Sequence, residues 1–313
     1  MNTSPWPRRF ALATFVLTLL LVAVGSQVTT IGAGMAVKGW WIVDGSDGQQ
    51  HFLPLFPGSE WTRDVGTFYE HSHRMLGMAV GLVAIVTLVA THVARLGRGA
   101  RLAALVALIA IVIQGVIGGT RVLEDSVHLA FLHGVTGQVT FVLVGLVVLY
   151  TSNAWQTIGA GRAERTPIAL AKTLVVATLA QITLGAWYRH GLRSPDLDAP
   201  PGALHMHMTV AFVVLGIVIA LAIRITLLAR EIESAAPELA RHLVGSKKRL
   251  HALVGTQILL GFLAWAFFGD PEYVSKQESA FAAAHLVVGA LLFLQGAALV
   301  PWLGRAGARE VAA

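Results

Sequence analysis

Eight apolar runs, each close to the ~20 residues that cross a hydrocarbon core, point this chain to one architecture, a bundle of membrane-spanning helices. They fall at about Phe10 to Ile31, His71 to Val93, Arg101 to Gly118, His128 to Tyr150, Pro167 to Trp187, Leu204 to Ala229, Arg249 to Phe268 and Ser279 to Trp302. Hydrophobic residues make up 55% of the chain and charged residues 13%, a balance that suits lipid as solvent. The expected fold class is an all-α integral membrane protein with eight transmembrane helices. The first run follows Arg8 and Arg9, exceeds the apolar core of a signal peptide and has no clear cleavage site, so it is read as a span. With no cysteine in the chain, disulfides, zinc–thiolate sites and iron–sulfur clusters are excluded.

Cytoplasmic loops of membrane proteins keep an excess of Lys and Arg. With the N-terminus inside, the inner segments hold 16 of the 23 basic residues and the outer segments 12 of the 17 acids. Both termini are therefore expected in the cytoplasm. The pI near 10.1 then reflects basic loops beside anionic lipid, and no soluble basic domain exists to support a nucleic-acid partner.

The segment Gly32 to Tyr69 is long and carries Trp40, Trp41, Trp61, Pro54 and Pro57, the make-up of a functional lid. The charged stretch Arg230 to Lys248 reads as a solvated inner linker. Laying the second half on the first brings out an internal repeat of four helices. Glu70-His71-Ser72-His73-Arg74 opens the second run, and Leu204-His205-Met206-His207-Met208 opens the sixth with the same His-x-His spacing. His133-Gly134-Val135-Thr136-Gly137 matches His285-Leu286-Val287-Val288-Gly289, and Gln114 with Gly118 matches Gln257 with Gly261. The expectation is two similar four-helix bundles, residues 1–152 and 153–313.

His73, His133, His207 and His285 each stand near the outer end of a run, one pair in each half. Ionisable residues at membrane depth tend to mark functional sites, and facing histidines in a bundle can clamp a metal ion or a heme iron. The residue four places on lies on the same helix face, and it is Gly77, Gly137, Ala211 and Gly289 respectively. A flat porphyrin needs that face clear, whereas a lone ion does not. Taken singly, each histidine is equally well an interhelical hydrogen-bonding residue; the four together, paired at one depth, point to heme ligation. His251 meets the spacing criterion through Gly255 but sits at the inner end of its run. His71, His128, His190 and His205 read as interfacial residues.

Glu70 stands three residues before His73 on the same face. A carboxylate there can move protons or steer an intermediate; equally, it can be a solvated acid at a helix N-terminus, and position alone leaves both open. Gln114, Gln181 and Gln257 each precede a glycine by four, which reads first as close helix packing. Arg74, Arg121, Arg189 and Arg193 cluster at outer helix ends, where heme propionates or lipid headgroups are candidate partners; Arg74 and Arg121 are favoured for propionates.

Val28-Thr29-Thr30-Ile31-Gly32-Ala33-Gly34-Met35-Ala36-Val37, followed by Phe68-Tyr69-Glu70-His71-Ser72-His73-Arg74, resembles the opening of the heme A synthase family, including its Glu-x-x-His-Arg motif. Gly118-Gly119-Thr120-Arg121-Val122-Leu123 with His133-Gly134, then Gln181 to His190, His207 and His285, continue the likeness over nearly the whole chain. The resemblance implies an enzyme that oxidises the C8 methyl of heme O to the formyl of heme A for heme-copper oxidases. It implies a heme b cofactor between His207 and His285, the substrate heme O between His73 and His133, and a catalytic role for Glu70. Further partners it implies are an unidentified electron donor, membrane lipid, heme O synthase and cytochrome oxidase assembly factors, with a homo-oligomer compatible. The expected location is a bacterial plasma membrane. Two departures stand out: the cysteine pair many members carry in the first outer loop is missing, and Lys38-Gly39-Trp40-Trp41 replaces the common Pro-Asp-Trp-Pro.

Two other classes stay open on the residues. A di-heme b-type electron-transfer cytochrome without oxygenase activity explains the histidines, and a transporter built from parallel repeats would use them as proton relays.

Overall fold

The structure, a computed structural model, describes residues 5–158, 165–192, 197, 202–269 and 274–306. Among them eight long apolar helices dominate: α1 Trp6–Thr30, α2 Val65–Val93, α3 Arg98–Leu123, α4 Val127–Tyr150, α5 Arg165–Gly191, α6 Ala203–Ile232, α7 Pro237–Ala266 and α8 Lys276–Arg305. All eight are long and apolar enough to span a bilayer, and the protein is an integral, multi-pass membrane protein. Local chemistry sets their starts. Asp64, Ser126 and Ser275 cap α2, α4 and α8 by accepting from the backbone N–H of Thr67, Leu129 and Glu278. Prolines occupy the first turn of α1 and α7, where a missing N–H costs nothing.

The surface is inverted relative to a water-soluble protein. Leu82, Val89, Val112, Val116, Phe212, Ile223, Leu259 and Phe262 point outward, while polar groups lie inside. Thr14 of α1 meets Thr87 of α2 at 2.9 Å in the interior, with Thr87 donating back to the Val83 carbonyl at 2.8 Å. Such hydroxyls satisfy themselves within the bundle, as lipid requires.

In the first half α1 packs on α2, α2 on α3, α3 on α4, and α4 returns to α1; in the second, α5 packs on α6, α6 on α7, α7 on α8, and α8 returns to α5. Contacts between halves run from α8 to α1 and α4, and from α5 to α4. The apolar core lies beyond the histidines along each helix. Leu174, Val218, Leu221, Ile225, Leu243, Leu250, Leu299 and Leu303 fill it in the second half, and Ala11, Ala104, Ala107, Val144 and Val147 in the first.

The segment read as a solvated linker, Arg230 to Lys248, is mostly helix. The α6 helix ends at Ile232 and α7 already begins at Pro237, with Leu239, Ala240, Leu243 and Ser246 buried. Its charges mask a three-to-four-residue apolar spacing that the core takes up.

Between α1 and α2 the long loop is ordered. Strands β1 Ile42–Asp44 and β2 Gln50–Phe52 pair antiparallel, with Val43 opposite His51, and a 3₁₀ turn at Leu53–Leu55 and a short helix at Gly58–Trp61 complete it. Val37, Val43, Leu53 and Phe56 form a small apolar core of their own, joined by Trp61 and by Met78 from α2.

Candidate functional site

Each of the four histidines lies against a glycine of the helix preceding its own. His73 sits on Gly25 of α1, His133 on Gly118 of α3, His207 on Gly185 of α5 and His285 on Gly261 of α7. A β-carbon at these glycines would stand 2.7, 2.9, 2.8 and 3.0 Å from the ring Cε1. Non-bonded carbons settle at about 3.5 to 4.0 Å, so a side chain at any of the four would push the ring away.

Seated this way, the rings meet in pairs. The centroids of His73 and His133 are 6.2 Å apart, and those of His207 and His285 are also 6.2 Å apart. Two imidazoles this close, facing one another inside a helix bundle, could hold one heme iron between them. The donor set also suits porphyrin iron. Among the described residues no group of three or more His, Cys, Asp or Glu side chains gathers to hold a bare ion, whereas porphyrin supplies four nitrogens itself and takes only one or two ligands from the protein. The residues present therefore fit heme.

In the second half Nδ1 of His207 donates to the Gln181 carbonyl at 3.0 Å, and Nδ1 of His285 to the Gln257 carbonyl at 3.1 Å. The side-chain amides of the same glutamines donate to the two Nε2 atoms, at 3.2 and 3.1 Å. That network assigns the Nδ1–H tautomer and puts the lone pair on Nε2, the nitrogen that can ligate iron once the glutamine amide now bonded to it turns aside. The first half is less complete. Gln114 accepts from the Thr136 hydroxyl at 2.5 Å and its amide nitrogen lies 3.0 Å from Nδ1 of His133, while Nδ1 of His73 is buried without a well-aligned partner. Of the small residues one turn after the histidines, Gly77 faces open space, while Gly137 and Gly289 face the side chains of Gln114 and Gln257.

Glu70 is not a solvated acid. It is 2% exposed, accepts the Val37 N–H at 2.8 Å and pairs with Arg74 at 2.6 Å. The N-cap belongs to Asp64 instead, whose pKa is drawn down to about 2 by the Thr67 backbone N–H and hydroxyl and by Arg63. Arg74, expected at a propionate, spends its other donors on the carbonyls of Gly39 and Val37, at 2.8 and 2.7 Å. Arg121, expected to do the same, donates to the Gly34 carbonyl at 2.7 Å. Trp40 lies so close on Gly119 that a side chain there would overlap its ring. These contacts staple the first loop to α2 and α3 directly beside the His73/His133 pair. Within the loop, the Ser46 hydroxyl and backbone N–H bond Glu60 and hold its pKa below the usual carboxylate value.

Of the four histidines expected at the interface, His71 and His190 lie elsewhere. His71 is 1% exposed, wedged between Phe56 and Trp61 at 5.1 and 4.8 Å between centroids, because the folded loop covers it. His190 of α5 crosses to α4, where it lies against Gly134 and Phe131. His128 and His205 are exposed, and exposed His251 bonds the Lys247 carbonyl of its own helix at 3.0 Å. Arg193 lies outside the described residues. The seat glycines are the functional positions that sequence reasoning missed. Their signal was present as the Gln-x-x-x-Gly spacing, but it reads equally well as helix packing, and Gly25 lacks the glutamine.

The family model of the cytochrome oxidase assembly protein family matches residues 8–193, more than half of the chain. The chain belongs to this family, the one to which the heme A synthase motifs point. Comparison with curated proteins gave no match. A role in cytochrome oxidase assembly follows from the membership. The matched stretch carries the His73/His133 pair with Glu70, Arg74 and Arg121, and it ends before His207 and His285. In this cytochrome oxidase assembly protein the second pair therefore rests on its geometry, which repeats the seat and the ring separation of the first.

Proposed function

We propose that this cytochrome oxidase assembly protein is a heme A synthase, oxidising the C8 methyl of heme O to the formyl of heme A. His207 and His285 would hold heme b, and His73 and His133 would receive the substrate, in two four-helix units covering residues 1–152 and 153–313. The observation that carries the reading is the 6.2 Å separation repeated in both halves, each ring fixed on a glycine, within a chain of this family.

Bound heme b would supply electrons one at a time, drawn from an outside donor. The conversion runs from methyl to hydroxymethyl to hydrated aldehyde, each oxygenation consuming one O₂, two electrons and two protons and releasing one water; the hydrate then loses water to give the formyl group. The chain's own residues shape this chemistry. Gly25 and Gly118 place the two substrate-side rings, and the loop stapled by Glu70, Arg74 and Arg121 covers the site and limits water. Glu70 is assigned to proton handling or to holding that loop during turnover. The proposed setting is a bacterial plasma membrane with both termini cytoplasmic, with heme O synthase and oxidase assembly factors as partners.

The test is extraction and chromatographic identification of hemes from the purified full chain, with and without heme O and a reductant. Formation of heme A beside retained heme b is expected. Heme b in both sites with no heme A formed from supplied heme O would overturn the assignment in favour of a di-heme electron-transfer cytochrome.

A further inference from the structure

Three of the four seats carry a glutamine one turn before the glycine: Gln114 before Gly118, Gln181 before Gly185 and Gln257 before Gly261. The fourth, Gly25, has Leu21 there. That turn of α1 is instead held from the other half of the molecule. Arg189 stands one turn beyond Gly185 on α5 and reaches the Ser26 carbonyl at 2.8 Å, the Ser26 hydroxyl at 3.4 Å and the Thr30 hydroxyl. On α8, six residues before His285, Ser279 bonds the Gln27 side chain, whose amide donates to the Ser279 carbonyl at 3.3 Å. Ser26 and Thr30 are 2% and 3% exposed, so these bonds form in the interior.

The residues that follow the seat of His73 are thus gripped by α5, which carries the seat of His207, and by α8, which carries His285. We propose that Arg189 is a positioning residue for the first-half site: by bonding the Ser26 carbonyl it sets where Gly25, and with it the ring of His73, stands. Ligation at the substrate-side pair then depends on the half of the protein that does not contain it. A guanidinium making several bonds at once in a low-dielectric interior holds a backbone more firmly than a neutral donor. The ring it governs is the one whose Nδ1 lacks a well-aligned partner of its own. This inference rests on the heme reading of both pairs.

The experiment adds ferric heme b to the purified full chain, expressed under heme limitation and held in lipid nanodiscs. Affinity and low-spin spectra are read by absorption and electron paramagnetic resonance. His73→Ala and His285→Ala assign each low-spin signal to its site. Arg189→Leu should weaken binding at the His73-dependent site by about 10- to 100-fold, the scale of a lost supporting contact around a metal ligand, and shift its signal. The His285-dependent site should keep its affinity, its signal altering only by the loss of the Arg189 charge that also acts on His285. Gly25→Ala should reproduce that pattern, and Arg189→Lys should recover part of the affinity. An unaltered His73-dependent signal in Arg189→Leu overturns the inference, as does parallel loss of both signals, which would make Arg189 a support of its own half. Absence in the parent protein of any signal dependent on either histidine overturns the heme reading itself, and the inference with it.

Discussion

At the His207/His285 pair each ring has both nitrogens engaged by one glutamine of the neighbouring helix, whereas at the His73/His133 pair only His133 has such a glutamine, Gln114 at 3.0 Å from its Nδ1, and His73 has Leu21 in that place and a Nδ1 without a well-aligned partner. Among the described residues, a covering loop is seen beside one pair, and most of the connections at the same end of the second half lie outside them. The first pair has an ordered loop of strands, turns and aromatic side chains bound to α2 and α3 beside it. Both rings of the second pair are fixed by their own half, while the first pair has one less firmly held ring, His73, and an ordered loop beside it. The former arrangement suits a group that stays, since pre-set ligands lower the ordering cost of binding, and the latter suits one that enters, reacts and leaves.

The sharpest way to break that comparison is to remove a ligand from the pre-set site. His207→Ala or His285→Ala should abolish stably bound low-spin heme b, measured as heme per protein and by the reduced spectrum. Full heme content in both variants would end the assignment of a resident cofactor to that pair.

Next in size is Glu70→Gln. The amide keeps an acceptor for the Val37 N–H but removes the charge that partners Arg74. Heme A formation should drop by about 100-fold, as for a lost acid–base group, while heme b stays in the His207/His285 site. Hydrogen exchange of residues 32–64 separates the two roles: unchanged protection with lost turnover assigns Glu70 to proton handling, and raised exchange assigns it to holding the loop. Normal heme A would remove Glu70 from the reaction altogether.

A smaller effect is expected from filling the space beside a ligand. In Gly289→Leu the first side-chain carbon would already stand 3.0 Å from the Gln257 amide nitrogen. Displacing that residue should weaken heme b by about 10-fold, in line with other supporting contacts. Gly77→Leu, where the structure offers open space, should spare heme b and lower substrate heme binding. Equal loss in both sites from either variant would erase the distinction between them.

The smallest change concerns the loop's anchor. Asp64→Ala should cost about 1 kcal/mol through the lost N-cap, seen as faster exchange near the start of α2. Because the folded pKa of Asp64, about 2, lies below the ordinary aspartate value of 3.8, its contribution is present above pH ~4 and is lost as pH falls toward 2. Loop protection, corrected for the intrinsic pH dependence of amide exchange, should therefore fall from pH 5 to pH 3 by more in the parent than in the variant. No pH dependence in the parent would show that the cap does not hold the cover.

Much of this was readable beforehand for definite reasons. A helix in lipid has to close all its backbone bonds internally, so apolar length alone located all eight spans, and the repeated His-x-His and His-x-x-x-Gly spacings pointed to the rings that the structure brings together. The boundaries were less legible. Charged residues at 230–248 hid a helical start whose apolar face is buried, and His71 looked interfacial because nothing local announces that a distant loop will cover it.

Which histidines exist, at which depth and with which repeat, was determined by the sequence, because helical periodicity and lipid exclusion act on neighbours along the chain. What each ring rests on was decided only by tertiary structure. The glycine under His73 lies 48 positions away on α1, and the arginine that bonds the carbonyl of the residue after it comes from α5 of the other half. Close approach between helices depends on where small residues meet after packing, and a pattern read along one helix carries no record of the side chain that will be pressed against it.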